Sequence, residues 1–282
     1  MKIGLVLEGG AMRGMFTAGV LDILMEHSID FDGAAGVSAG AVFGCNFKSK
    51  QKGRAIRYNI RFSKDKRYCS VRSLVKTGDL YGAQFCYDEI PNRLDKMDYK
   101  AYRENPMDFY AVCTDVQTGK AVYPNLKSLE GNGMRWLRAS ASLPGVSRPV
   151  KIGDGEYLDG GLADSIPLEF MQKQGFEKNV VVLTRPEGSV KKQDGGTRFM
   201  TRFVRNYPNL VRTMLDRHIM YNDELEYVRE EEKKGRIFVI RPEEALPVKK
   251  TEHNPKKLRI AYNIGRKTML DQLEELKAFL QE

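Results

Sequence analysis

Apolar residues in this chain recur with two spacings. The KIGLVL of residues 2–7 is an unbroken apolar run ending at a glycine-rich turn, as expected of a parallel strand buried on both faces. Met15, Val20, Leu21, Leu24 and Met25 then fall at helical intervals and predict a helix from about Gly14 to His27. A second short strand, about Gly33 to Val37, runs into Ser38 and is followed by a helix of small residues. Strand, helix, strand, helix in this order predicts an α/β fold: a mainly parallel sheet joined by right-handed crossovers.

Residues 50–105 are polar and mixed, and predict only loops and short helices. MDFYAVCTDV and KAVYPN predict paired strands joined through QTG, and GMRWLRASASL predicts a helix that stops before Pro144. GEYLDGG reads as a strand entering a glycine turn, KNVVVLTRP as another buried strand, and GRIFVIRP as the last one. From Pro255 to Glu282 the apolar residues Leu258, Tyr262, Met269, Leu273, Leu276 and Leu280 keep helical intervals. There is no internal repeat. The softest boundary is PEGSVKKQDGGT, residues 186–197, which divides a domain 1–185 from a mainly helical extension 186–282 with one strand, packed on the first.

Composition narrows the partners more than the fold. The chain has 282 residues, enough to bury a sizeable core, and a net charge of +9. That charge suits an anionic partner, a phospholipid surface or a nucleic acid, without choosing between them. The four cysteines show no metal-ligand spacing and read as reduced thiols, so neither metal nor cofactor is expected. No run approaches the ~18 apolar residues of a membrane span, and Ile3–Leu7 is too short for a signal-peptide core. The expectation is a cytoplasmic protein, touching a membrane only from outside.

The first chemical signal is FDGAAGVSAGAVFG, residues 31–44. Gly36 and Gly40 flank Ser38 in a G-x-S-x-G pattern between a strand and a helix, where small neighbours allow a sharp turn that presents a nucleophile. The bland alternative is a serine capping a helix. The second signal is LEGGAMRG, residues 7–14, whose turn offers the backbone N–H groups of Gly9, Gly10 and Ala11 to an anion. It lacks the P-loop pattern, and Ala11 breaks the dinucleotide fingerprint. The third is YLDGGLADSIP, residues 157–167, which puts Asp159 on a turn made by Gly160 and Gly161. By itself that is an ordinary Asp-Gly turn.

Together the three pieces resemble the patatin-like phospholipase family, in its bacterial branch with a helical C-terminal extension. ASASLPGVSRPV, residues 139–150, is similar to the family's segment ahead of the catalytic aspartate. The resemblance runs from residue 3 to about residue 185 and implies a three-layer fold. It also implies a Ser38–Asp159 dyad without histidine, an oxyanion turn of Gly9, Gly10 and Ala11, a lipid ester substrate and no nucleic-acid partner. Two departures stand out: the family's third glycine is Ala11 here, strained if its φ is positive, and an asparagine before the proline is replaced by Ser165.

Two rival readings remain open at this point. One is an α/β-hydrolase with a Ser-Asp-His triad, using His218 or His253. The other is a catalytically weak lipid- or phosphate-binding protein. Arg13 is a candidate contact for a substrate phosphate or one half of a local salt bridge. The stripe RFMTRFVRNYPNLVRTMLDRH, residues 198–218, is interrupted by Pro208. It fits either an anionic membrane surface or, as the favoured reading, a helix packed on the core with its arginines in solvent.

Overall fold

The computed structural model describes residues 1–193 and 195–281. Among these residues eight strands, β1 (Lys2–Leu7), β2 (Gly33–Val37), β3 (Asp108–Asp115), β4 (Ala121–Val122), β5 (Val150–Ile152), β6 (Gly155–Asp159), β7 (Phe176–Val182) and β8 (Ile237–Ile240), form one sheet. Its order is β5-β6-β3-β2-β1-β7-β8, with β4 paired to β3. β3, β2, β1, β7 and β8 are parallel, whereas β4, β5 and β6 form an antiparallel edge. The apolar runs follow from this arrangement, because helices cover both faces of the central strands.

Helices α1 (Gly14–Glu26) and α2 (Ala39–Lys48) follow the first two strands. Between β2 and β3 come α3 (Arg54–Phe62), α4 (Val71–Thr77), a π-helical segment (Phe85–Leu94) and α5 (Tyr99–Glu104). Then follow α6 (Gly133–Ser140), α7 (Leu168–Lys173), α8 (Gly195–Met200), α9 (Pro208–Lys233), α10 (Pro255–Asp271) and α11 (Leu273–Gln281). Strand residues alternate between two cores. Leu5, Leu7, Val180 and Val182 pack with Phe16 and Leu24 of α1 and Met269 of α10, while Val6, Val181 and Val239 pack with Met171 of α7 and Tyr221 and Val228 of α9. The result is a helix–sheet–helix sandwich of three layers.

The chain after residue 185 shares both the sheet and its helical layers. β8 pairs with β7, and α10 lies on α1 so closely that a methyl group on Gly265 would sit 2.0 Å from the Phe16 carbonyl oxygen. The Tyr262 hydroxyl crosses the same contact to donate to Asp22 at 2.6 Å. Asn254 caps α10 by accepting from the Lys256 N–H at 3.0 Å, with Pro255 at the first helical position. No helix among the described residues is long and apolar enough to cross a membrane.

Several local elements differ from the sequence expectation. KAVYPN pairs as a strand only at Ala121–Val122, because Pro124 has no N–H for a ladder. The helix expected to reach Leu143 ends at Ser140, and Leu143 precedes a proline, which disfavours helical backbone. The closing helical segment is broken near Gln272 into α10 and α11. The stripe at residues 198–218 splits: Leu210 and Met214 are buried, but Phe199 and Phe203 are 55% and 59% exposed. Pro208 is the start of α9, so the two phenylalanines lie on a separate segment outside the core.

Candidate functional site

Ser38 stands between β2 and α2 with φ 54° and ψ −119°, a left-handed φ that costs a serine about 1–3 kcal/mol. Close backbone packing holds it there. A methyl group on Gly40 would lie 2.4 Å from the Leu7 carbonyl oxygen, and one on Gly36 would lie 2.7 Å from the Ala41 backbone. The two glycines are needed because β1, β2 and α2 touch main chain to main chain. The Ser38 N–H is fixed as well, donating to Oγ of the fully buried Ser140 at 2.9 Å.

Asp159 ends β6 at the same level of the sheet. Val37 faces Val112 of β3, and the next β3 residue, Cys113, faces Asp159. The Asp159 N–H donates to the Ser142 carbonyl at 2.8 Å, and the Thr114 hydroxyl donates to the Asp159 carbonyl at 2.8 Å. ASASLP therefore serves both halves of the site, through Ser140 to Ser38 and through Ser142 to Asp159. The carboxylate accepts the Gly161 N–H at 2.8 Å, and Gly160 lies against the Val112 carbonyl.

Asp159 is only 2% exposed. Burial pushes its pKa above the ordinary carboxylate range, while Ser38 as a hydrogen-bonding neighbour, then the Arg217 charge and the Gly161 N–H, pull it partly back. A carboxylate of raised basicity thus stands beside a hydroxyl. Both line a cavity of about 430 Å³, together with Gly9, Gly10 and Ala11. The N–H groups of those three residues find no acceptor among the described residues. Such donors can stabilise an oxyanion.

The cavity opens at the carboxyl ends of β1, β2 and β7, where the chain order reverses, the usual place for a ligand in an open α/β sheet. Arg13 lines it and donates to the Thr184 hydroxyl at 3.4 Å, and it forms no salt bridge among the described residues. Sequence reasoning missed Glu8, Arg185, Lys191, Arg217 and Tyr221, which also line it. Glu8 could have been noticed as a carboxylate directly after a buried strand. The others belong to no motif.

Two other carboxylates, Asp115 and Asp164, are engaged elsewhere. Asp115 accepts from Thr118 in a turn, and Asp164 accepts from the Tyr123 hydroxyl at 2.7 Å. Neither these two nor Asp154 is among the cavity-lining residues. Ser165 donates its hydroxyl to the Gly161 carbonyl at 3.0 Å and thus braces the turn after Asp159. None of the three histidines lines the cavity. His218 Nδ1 sits 3.0 Å from the Leu215 carbonyl, His253 Nδ1 sits 2.9 Å from the Ser63 carbonyl, and His27 follows the end of α1.

A family model of the patatin-like phospholipases matches residues 5–171. The chain belongs to the patatin-like phospholipase family. A second model, for a domain of unknown function (DUF6363), matches residues 207–281 of this patatin-like chain. The uncharacterized protein YjjU of Escherichia coli is 30% identical over 271 residues, covering 94% of this chain and 75% of that protein. Lysophospholipase NTE1 of Debaryomyces hansenii is 27% identical over 189 residues, 64% of this chain but only 12% of that much longer protein. Among solved structures, VipD from Legionella pneumophila overlaps 97% of this chain and 67% of its own, with TM-score 0.48 and 12% identity.

The third position of the glycine turn yields a test. Ala11 has φ 48°, a conformation in which alanine is strained and glycine is not. Ala11→Gly should raise the stability of the patatin-like chain by about 1 kcal/mol, seen as a higher urea midpoint at unchanged slope. An unchanged or lower midpoint would show that the turn carries no strain there.

Proposed function

We propose that this protein is a serine acyl hydrolase that cleaves carboxylic ester bonds of phospholipid or lysophospholipid type. Family membership supports a lipid ester hydrolase in general terms, and the naming of the NTE1 relatives as lysophospholipases points the same way. The observation that carries the finer reading is the buried Asp159 carboxylate beside a strained Ser38, in a cavity also lined by the N–H groups of Gly9, Gly10 and Ala11, which find no acceptor among the described residues.

In this reading Ser38 Oγ attacks the ester carbonyl carbon and its proton passes to Asp159. The carbonyl oxygen becomes an oxyanion and accepts hydrogen bonds from the turn of Gly9, Gly10 and Ala11, with the N-terminus of α2 adding favourable potential. As the tetrahedral intermediate collapses, the bond to the alcohol breaks and Asp159 returns the proton to the departing oxygen. Water then attacks the acyl-enzyme, gives its proton to Asp159, and releases the acid and the serine hydroxyl. A carboxylate with an ordinary pKa is too weak a base for this step, so its burial is part of the mechanism.

Ser38→Ala should abolish both ester hydrolysis and labelling by a fluorophosphonate. Asp159→Asn should lower turnover by roughly 10³-fold or more, as loss of the base itself would. Single changes of His27, His218 and His253 should leave the rate within a few-fold. If a folded His218 or His253 variant lost ~10³-fold, a triad would replace the dyad.

The approach to lipid is proposed to run through α8 and the turn after it. Phe199 and Phe203 are exposed, pack edge-on at 5.5 Å, and stand among Arg198, Arg202 and Arg205, while their neighbours Thr197 and Met200 line the cavity. Apolar rings within a basic patch suit an anionic bilayer surface. Sedimentation with anionic vesicles should show binding that weakens with salt and falls in Phe199→Ser/Phe203→Ser. Equal binding to neutral vesicles, or none lost in that double variant, would contradict it.

A further inference from the structure

We propose that the cavity beside Ser38 holds a subsite for a phosphate group, so that the favoured substrate carries a net-negative phosphate headgroup. This rests on the reading of Ser38 and Asp159 given above and specifies its substrate class. Among the described residues lining the cavity, six side chains are basic, Arg13, Arg185, Lys191, Lys192, Arg217 and Lys250, against two carboxylates, Glu8 and Asp159.

Both carboxylates commit hydrogen-bonding capacity to neutral donors. Glu8 Oε1 accepts from the Tyr221 hydroxyl at 2.7 Å, and its Oε2 accepts from the Thr184 N–H at 2.5 Å and the Thr184 hydroxyl at 3.0 Å. Asp159 faces Ser38 and the Gly161 N–H. Arg13, Arg185, Lys191 and Arg217 form no salt bridge with any described carboxylate. An excess of cations in one cavity is a standing repulsion that a bound dianion would relieve.

Arg185, Lys191 and Arg217 are also held in place, unlike lysines and arginines waving on a surface. Lys191 and Arg185 lie over the Tyr221 ring, 4.8 and 5.8 Å from its centroid. The main chain of Lys191 exchanges two hydrogen bonds with the Asn222 amide, both 2.9 Å. Arg217 Nε donates to the Gly161 carbonyl, two residues from Asp159. Two separate segments, the link from β7 to α8 and the middle of α9, thus bring basic groups to one volume. The directions of the pKa shifts agree with the crowding. Burial, then Arg217, Arg185 and Lys250, push Lys191 down to about 7, with Glu8 as the opposing charge. Arg13 is lowered by burial, with Arg185 and Arg217 adding to it against Glu8 and Tyr221.

Binding separates this subsite from catalysis. Ser38→Ala protein is titrated calorimetrically with lysophosphatidic acid, lysophosphatidylcholine of the same acyl chain, and inorganic phosphate, each lipid below its micelle concentration. The phosphate monoester should bind roughly ten-fold or more tightly than the choline ester, and Arg185→Gln/Lys191→Gln should bring the two within about two-fold. The ratio of kcat/KM for the same two esters in the wild type should follow the binding ratio.

Equal affinity for the two lipids in the parent overturns the proposal, and needs no further variant to fold. A preference that survives the double variant overturns the assignment to these cations. Inorganic phosphate binding as tightly as the lipid would overturn the headgroup assignment in favour of a free-phosphate site. Loss of all turnover in wild type with the binding preference intact would sink the hydrolase reading and leave the subsite standing.

Discussion

Keeping water from one carboxylate is the constraint on which the rest of this structure depends. Asp159 must be buried to be basic, and buried carboxylates are unstable unless several groups serve them. Here the sheet edge supplies those groups. β3 gives Asp159 a strand partner and the Thr114 hydroxyl, the loop after α6 gives a carbonyl for its N–H, and Gly161 gives the carboxylate a donor. An Asp-Gly-Gly turn in a solvent-exposed loop would have the same sequence and none of this basicity.

Three local costs converge at the same end of the sheet: the left-handed φ of Ser38, the left-handed φ of Ala11, and the burial of Asp159. Such costs persist only where the surroundings leave no alternative. Gly36 and Gly40 let β1, β2 and α2 meet main chain to main chain, so Ser38 cannot relax without moving the centre of the sheet. The C-terminal half reinforces that centre. β8 extends the sheet, α10 is docked on α1 through Gly19 and Gly265, and α9 brings Tyr221 to Glu8 directly beside the glycine turn.

What could be read from the sequence was what a few neighbouring residues decide. Each buried parallel strand, the turn at Ser38 and the turn at Asp159 is written in fewer than ten residues, and the positive φ at Ala11 could be anticipated from the glycine that usually stands there. Contacts between distant segments could not be read. Glu8 and Tyr221 are 213 residues apart, and Arg217 reaches Gly161 across 56. No local pattern marks Arg185, Lys191 and Arg217 as one cluster, because each is an ordinary basic residue, two in the loop after β7 and one on α9. The same limit applies to Phe199 and Phe203, whose spacing suits a buried stripe and whose exposure depends on where α9 begins.

The central claim is that the fold pays for a buried, unusually basic Asp159, and stability against pH measures it directly. Because the folded-state pKa is raised, the folded protein holds more protons than the unfolded chain between the ordinary value of about 4 and the raised one. Stability is therefore lost as pH rises through that window, and the full cost is present above it. Asp159→Asn has no such window. Urea unfolding of both proteins should find the variant the more stable at pH 7 to 8, with the gap closing as pH falls toward 4. A variant that is less stable at neutral pH, with the gap closing on acidification, would mean that the folded state stabilises the carboxylate's charge, and the account would be wrong.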